Sequence, residues 1–359
     1  ALTMKQAIGV AAVFEFVGAV VLGRVSTNTI AGGIADIKAF KNDPELYAYG
    51  MMWTLIVGAA WQIWASYKGL NVSATHSIIG GIMGFSIAHS GSAGVLWLQK
   101  DPASFPPYKG VVPIVLSWFI SPILTALASA IIFTGTRTLI LRRENSYQRV
   151  FWLLPALVLL TSWINIYFVF TKGLKKTIKG TKDDWSNSKA GWIALCISAG
   201  LSVLSLGAIP FMKRRIDHQT IRVQAIEDAE APPDEHEVQN LKEEFSEHTE
   251  RAFSLLQVFS AICVIFAHGA GEVGYMAGPL STIWTIWKSD ALPKTVKAPL
   301  WIVLYSAASL VIGLAMYGQN VTHAMGKRLA RLTPSRGFAA ELATSLVILV
   351  ATQYGLPTS

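Results

Sequence analysis

The sequence predicts an all-α polytopic membrane protein with inverted repeats and re-entrant helical hairpins, on three observations. Only 14% of its 359 residues are charged and 52% are apolar, against roughly 25% charged in soluble domains. Uncharged apolar runs recur along the chain at about the 20 residues that cross a hydrocarbon core. Third, the polar stretch Gly69-Leu70-Asn71-Val72-Ser73-Ala74-Thr75-His76-Ser77 separates two uncharged runs, 51–67 and 78–98. A hairpin that turns inside a bilayer has this pattern. Non-helical backbone survives at that depth only where protein buries it or water reaches it. Ser73, Thr75, His76 and Ser77 therefore read as the wall of a polar cavity.

Each element follows in order. Residues 7–23 are apolar apart from Glu15 and read as a spanning helix; a polar loop with Asp36, Lys38, Lys41, Asp43, Pro44 and Glu45 follows. The hairpin arms lie near 50–68 and 75–98, and Pro102, Pro106 and Pro107 break the chain after them. Residues 111–133 span again and end in Arg137, Arg142, Arg143 and Arg149. Residues 151–171 lead to the lysines at 172–182, and 191–212 return to Lys213-Arg214-Arg215. The segment 216–250 is acidic, carries Pro232-Pro233, and reads as a soluble linker with a short helix near 241–245. The longest apolar run, 258–287, is broken by His268-Gly269-Ala270-Gly271-Glu272; 299–317 spans, a basic stretch follows, and 338–354 leads to Gly355-Leu356-Pro357-Thr358-Ser359. The expected organisation is a first repeat over 1–149, two additional spans over 150–215, the linker 216–250, and a second repeat over 251–359. That second repeat stops at its hairpin tip, so the sequence reads as part of a longer protein.

Charge sets orientation rather than nucleic-acid binding. The net charge is +8, but 227–250 hold ten carboxylates against Lys242, a balance of −9, which leaves +17 elsewhere. The basic loops 137–149, 213–215 and 327–336 fall on one side, and the positive-inside rule makes that side cytoplasmic, with the long linker. The lysines at 172–182 fall on the other. A plasma-membrane location is expected, and self-association is left open. Cys196 and Cys263 sit in apolar runs and suggest neither a disulfide nor a metal site.

The chemistry is read from what the greasy segments do contain. Glu15, Glu272 and Glu341 are the carboxylates within them, and a charge at a helix centre costs about 2.5–3.5 kcal/mol on insertion scales. Function or interhelical hydrogen bonding would each account for them; an acid neutralised by a bound cation would couple transport to that ion. Ser73, Thr75, Ser77, Thr358 and Ser359 put hydroxyls beside helix starts, where free N–H groups and the dipole favour an oxyanion. Simple N-capping is the plainer alternative. His76 is expected as a hydrogen-bonded core residue. His268 and Glu272 share a helix face, yet two ligands do not make a metal site. The sequons at Asn71 and Asn320 lie too deep for glycosylation, and the tryptophans read as packing and interface anchors. Gly23 to Val25 and then Gly69-Leu70 are echoed by Gly318 to Val321 and then Gly355-Leu356. Two-fold internal similarity of this kind marks transporters, whose sites lie where broken helices of the two halves meet.

These residues resemble the inorganic phosphate transporters of the Pit type, which include sodium–phosphate symporters. Gly69 to Ser77 is similar to that family's Gly-Leu-Pro-Val-Ser-Thr-Thr-His-Ser tip. Leu332-Thr333-Pro334-Ser335-Arg336-Gly337-Phe338-Ala339-Ala340-Glu341-Leu342 with Gly355-Leu356-Pro357 looks like its second-half signature. Ala1-Leu2-Thr3 matches the stretch after the family's first Gly-Ala-Asn-Asp motif. Where the family has His-Gly-Ala-Asn-Asp-Val-Ala-Asn-Ala, this chain has His268-Gly269-Ala270-Gly271-Glu272-Val273-Gly274-Tyr275-Met276. The resemblance implies a non-enzymatic symporter for inorganic phosphate, without a cofactor, embedded in lipid. Ser73, Thr75, His76, Ser77, Glu272, Thr358 and Ser359 would bind phosphate, and Glu15 and Glu272 would couple a cation. Sodium is the family's ion; Gly271 and Tyr275 lack the amides that hold it, which brings in protons. Sulfate or arsenate is the alternative anion, and a transport-dead phosphate sensor the alternative class.

Overall fold

The computed structural model describes residues 2–23, 27–100, 107–174, 187–227, 245–293, 296–325 and 333–353. Helices dominate: α1 (Met4–Leu22), α2 (Thr27–Gly32), α3 (Pro44–Tyr67), α4 (Ala74–Ser90), α5 (Val111–Thr136), α6 (Ser146–Phe168), α7 (Asn187–Glu227), α8 (Glu247–Ser289), α9 (Leu300–His323) and α10 (Pro334–Gln353). One short ribbon pairs β1 (Gln99–Lys100) antiparallel with β2 (Tyr108–Lys109). Among the described residues six helices are long and apolar enough to cross a membrane, namely α1, α5, α6, α7, α8 and α9. Large apolar side chains such as Phe119, Ile123 and Ile131 on α5 and Val203, Leu204 and Phe211 on α7 are exposed. This is an integral membrane protein, with those faces turned to lipid.

The hub is α8, which packs against α1, α2, α3, α4, α6, α7, α9 and α10. Two glycines bring it against α1 at backbone distance. A Cβ on Gly18 would overlap the Phe266 carbonyl, and one on Gly269 the Glu15 carbonyl. Without a hydrophobic drive between helices in lipid, such small-residue crossings supply the close packing. The run 258–287 is accordingly not broken at His268–Glu272: α8 continues through it from Glu247 to Ser289. The neighbouring helix α7 runs on to Glu227. Residues 216–227 and 247–250, read from composition as linker, are therefore helical. Of the short helix expected near 241–245, only Phe245 is described, and it is not helical.

Helices α3 and α4 form an antiparallel hairpin. Gly50 packs on Phe85, Thr54 on Gly81 and Gly58 on Ile78, while Gln62 reaches Ser77. Positions 50, 54, 58 and 62 form one face of α3, as the 3.6-residue period requires. At its base Phe40 stacks on His89 (4.4 Å between ring centroids) and packs against Tyr47 (5.0 Å). At its tip α3 ends in a Schellman turn. Leu70 N–H donates to the Ala65 carbonyl (2.8 Å) and Gly69 N–H to Ser66 (3.1 Å), with Gly69 at φ +67°, a conformation glycine takes without a Cβ penalty. The hairpin shares one buried core with α5 and α8, including Ile78, Ile79, Ile82, Ile114 and Tyr275. A second core joins α6, α7, α8 and α10 through Phe151, Leu154, Ile216, Phe253, Leu256 and Phe338.

Candidate functional site

The chain leaves the tip extended and re-enters a helix at Ser73 (φ −81°, ψ 124°), whose Oγ accepts the His76 N–H at 3.4 Å. Ser77 Oγ donates to the Ser73 carbonyl (2.9 Å) and accepts from Gln62 Nε2 (3.4 Å). Both serines are thus engaged in capping and bracing the turn. Thr75 differs. It is 0% exposed, and its Oγ1 has no hydrogen-bond partner among the described residues. The Tyr275 phenol of α8 is the polar group beside it, but no donor–acceptor geometry joins the two. The carbonyl four residues back, which a helical threonine ordinarily uses, belongs to Asn71 ahead of the helix. His76 is exposed, not a hydrogen-bonded core residue, and its ring lies 3.9 Å from the Trp118 ring of α5. The correction has a geometric cause. Thr75 and His76 are about 100° apart around the helix, and the inward direction belongs to Thr75.

Tyr275 sits one helical turn beyond Glu272, and there the second set of groups begins. Glu15 of α1 is buried, and its Oε1 lies 2.7 Å from His268 Nδ1. The other ring nitrogen, Nε2, is 3.7 Å from Glu272 Oε1. One imidazole thus stands between two carboxylates, which address different ring nitrogens and do not converge on a shared point as metal ligands would. The His268 side chain is 51% exposed, whereas the carboxyl-bearing side chains are 10% and 13% exposed. A Cβ at Gly271 would meet nothing within 4 Å, so open space adjoins this cluster. An imidazole whose two nitrogens face two acids can hold and pass a proton. Charge buried in a membrane interior marks ion pathways.

Glu341 has a different setting. It accepts hydrogen bonds from Ser260 Oγ and, at 3.4 Å, from Gln257 Nε2, both on α8. Such bonds fit the bundle-stiffening role that sequence left open for it. Glu250, inside the compositional linker, caps α10: Oε2 accepts the Ser335 N–H at 2.9 Å and Oε1 the Ser335 hydroxyl at 2.6 Å. Thr358 and Ser359 lie outside the described residues. The structure therefore brings Thr75 to α8 through Tyr275, and Glu15 to Glu272 through His268. Sequence reasoning passed over His268 as a partner of Glu15, 253 positions away, and over Tyr275 and Trp118. No local signal marks a contact between residues so distant in the chain.

The chain has clear relatives. The profile of the phosphate transporter family matches residues 1–359. A Haemophilus influenzae protein, provisionally named a phosphate permease, is 31% identical over 360 residues, covering 100% of this chain and 76% of that one. The chloroplastic inorganic phosphate transporter 2-1 of Arabidopsis thaliana is 30% identical, covering 100% of this chain and 58% of its own length. The solved structure of the sodium-dependent phosphate transporter superimposes with a TM-score of 0.79 at 27% identity, covering 100% of this chain and 78% of that one.

Proposed function

The chain belongs to the phosphate transporter family, and from that premise we propose that it carries inorganic phosphate across a membrane together with a cation, by alternating access. The anion binds at the first turn of α4. The observation that carries this is Thr75, a buried hydroxyl beside a helix N-terminus without a partner among the described residues. The N–H groups of Ala74 and Thr75 have no intrahelical acceptor by position. They and the helix dipole favour an oxyanion. Hydroxyls and amides hold phosphate without the grip of an arginine, so it can leave on the other side. Ser73 and Ser77 shape the turn, His76 covers it, and Thr358 and Ser359 supply the matching tip of the second repeat.

Sodium is the first choice of coupling ion, in keeping with the sodium-dependent transporter whose fold is similar. A second reading, protons, is favoured by the Glu15–His268–Glu272 arrangement. A hard cation seeks several oxygen ligands, and here an imidazole stands between the two carboxylates. The basic loops and the linker face the cytoplasm of a plasma-membrane protein, following the positive-inside rule. Two repeats, over 1–149 and 251–359, flank the spans at 150–215.

The test is uptake of labelled phosphate by the intact protein in vesicles, with sodium replaced by choline at two pH values. Transport lost in choline at both pH values supports sodium. Transport retained in choline and stronger under an inward proton gradient supports protons. Binding without flux under either gradient refutes the transporter reading. The variant T75V, which removes only the hydroxyl, raises the phosphate KM by about tenfold, the equivalent of one hydrogen bond to a charged ligand.

A further inference from the structure

Beside the proposed anion tip stands a second orphan. The indole Nε1 of Trp118 is buried and has no hydrogen-bond partner among the described residues. Its ring lies 3.9 Å from His76 at an interplanar angle of 35°, and it packs on the core that holds Ile78, Ile79 and Tyr275. Buried polar groups are hydrogen-bonded in the great majority of cases, and each exception needs a reason. Hydroxyls elsewhere also lack partners among the described residues, Thr161, Ser198 and Ser281 being examples. Those are soft exceptions, because a hydroxyl rotates and can turn to a carbonyl one turn back. An indole N–H cannot. It is a single donor fixed in the ring plane, with no acceptor capacity.

We propose that the Trp118 N–H is a further substrate-binding group, which donates to the oxyanion held by Thr75 and the first turn of α4. The inference rests on the proposed phosphate site and adds to it a residue from α5. Its chemistry suits the role. A donor-only group with no acceptor among the described residues has no internal partner to compete with the ligand, and a tetrahedral oxyanion presents acceptors in every direction. The tilted contact of Trp118 with His76 sets the indole against the helix that carries Thr75. Because the N–H gains its partner only when the anion is present, the interaction is spent on affinity and not on folding.

The experiment uses the intact protein in vesicles and labelled inorganic phosphate. In W118F the ring that stacks on His76 remains and the N–H is gone. The phosphate KM rises about tenfold or more, as for loss of a hydrogen bond to a charged group, while maximal uptake changes little. W118H returns an N–H on a planar ring and recovers part of that loss. Equal KM values for W118F and wild type, with KM raised in T75V, overturn the role of Trp118 and leave the phosphate tip standing. Unchanged KM in both variants overturns the tip itself. A W118F protein that fails to fold makes Trp118 a packing residue and overturns the assignment as well.

Discussion

Neutralising Glu15 isolates the coupling cluster from the anion site. In E15Q the side chain keeps its length and one hydrogen bond, but the 2.7 Å contact to His268 Nδ1 loses its charge. A hydrogen bond to a charged group contributes about 1.5–3 kcal/mol. The lower end of that range is taken here. At about 1.4 kcal/mol per factor of ten, cation-driven uptake should fall about tenfold. Two assays on the reconstituted protein separate the effects. One is net uptake of labelled phosphate down an imposed cation gradient. The other is phosphate–phosphate exchange with the cation equal on both sides. E15Q should lose the first and keep the second within about threefold, and the double variant E15Q/H268Q should be no worse than the poorer single one, since paired groups are not additive. Wild-type uptake by E15Q with an unchanged cation dependence would refute the coupling role. An equal loss in both assays would show that Glu15 serves the anion or the fold instead.

Further outcomes follow from the packing. G269A should destabilise by about 1–3 kcal/mol, as overpacking does, because a methyl group there meets the Glu15 carbonyl. G271A, two positions on, should be neutral or up to about 1 kcal/mol stabilising through helix propensity, and equal thermal unfolding of the two in detergent would contradict the α1–α8 crossing. E250A removes the acceptor for both the Ser335 N–H and its hydroxyl and should lower stability by about 1–2 kcal/mol, the usual loss for a helix cap. Melting of E250A at the wild-type temperature would remove the cap from the account. S260A takes a donor from partly buried Glu341 and should cost about 1–3 kcal/mol, readable in the same unfolding measurement.

Much of this protein is written locally. Apolar runs of bilayer length set the spanning helices, because lipid demands that each segment satisfy its own backbone. Gly69 and Ser73 announce the turn, since a left-handed residue and an N-cap are properties of single positions. The small-residue tip, the hydroxyls and the rare acids were likewise visible in the chain. Composition nevertheless misjudged the ends of α7 and α8: charged residues enter a helix as readily as a linker once the helix leaves the membrane, and hydropathy marks only the lipid-facing part.

The pairings were decided elsewhere. Nothing near Glu15 names His268 as its partner, and nothing near Thr75 says that Tyr275 lies beside it, or that Trp118 meets His76, while Ser73 and Ser77 are occupied by the turn. The glycines at 18 and 269 make the close contact of α1 with α8 that sets Glu15 beside His268. Sequence alone fixed which polar groups enter the membrane, because each helix carries its own solvation requirement. Only the tertiary structure decided which of them meet and which are left unpaired, because that depends on where helices hundreds of residues apart cross.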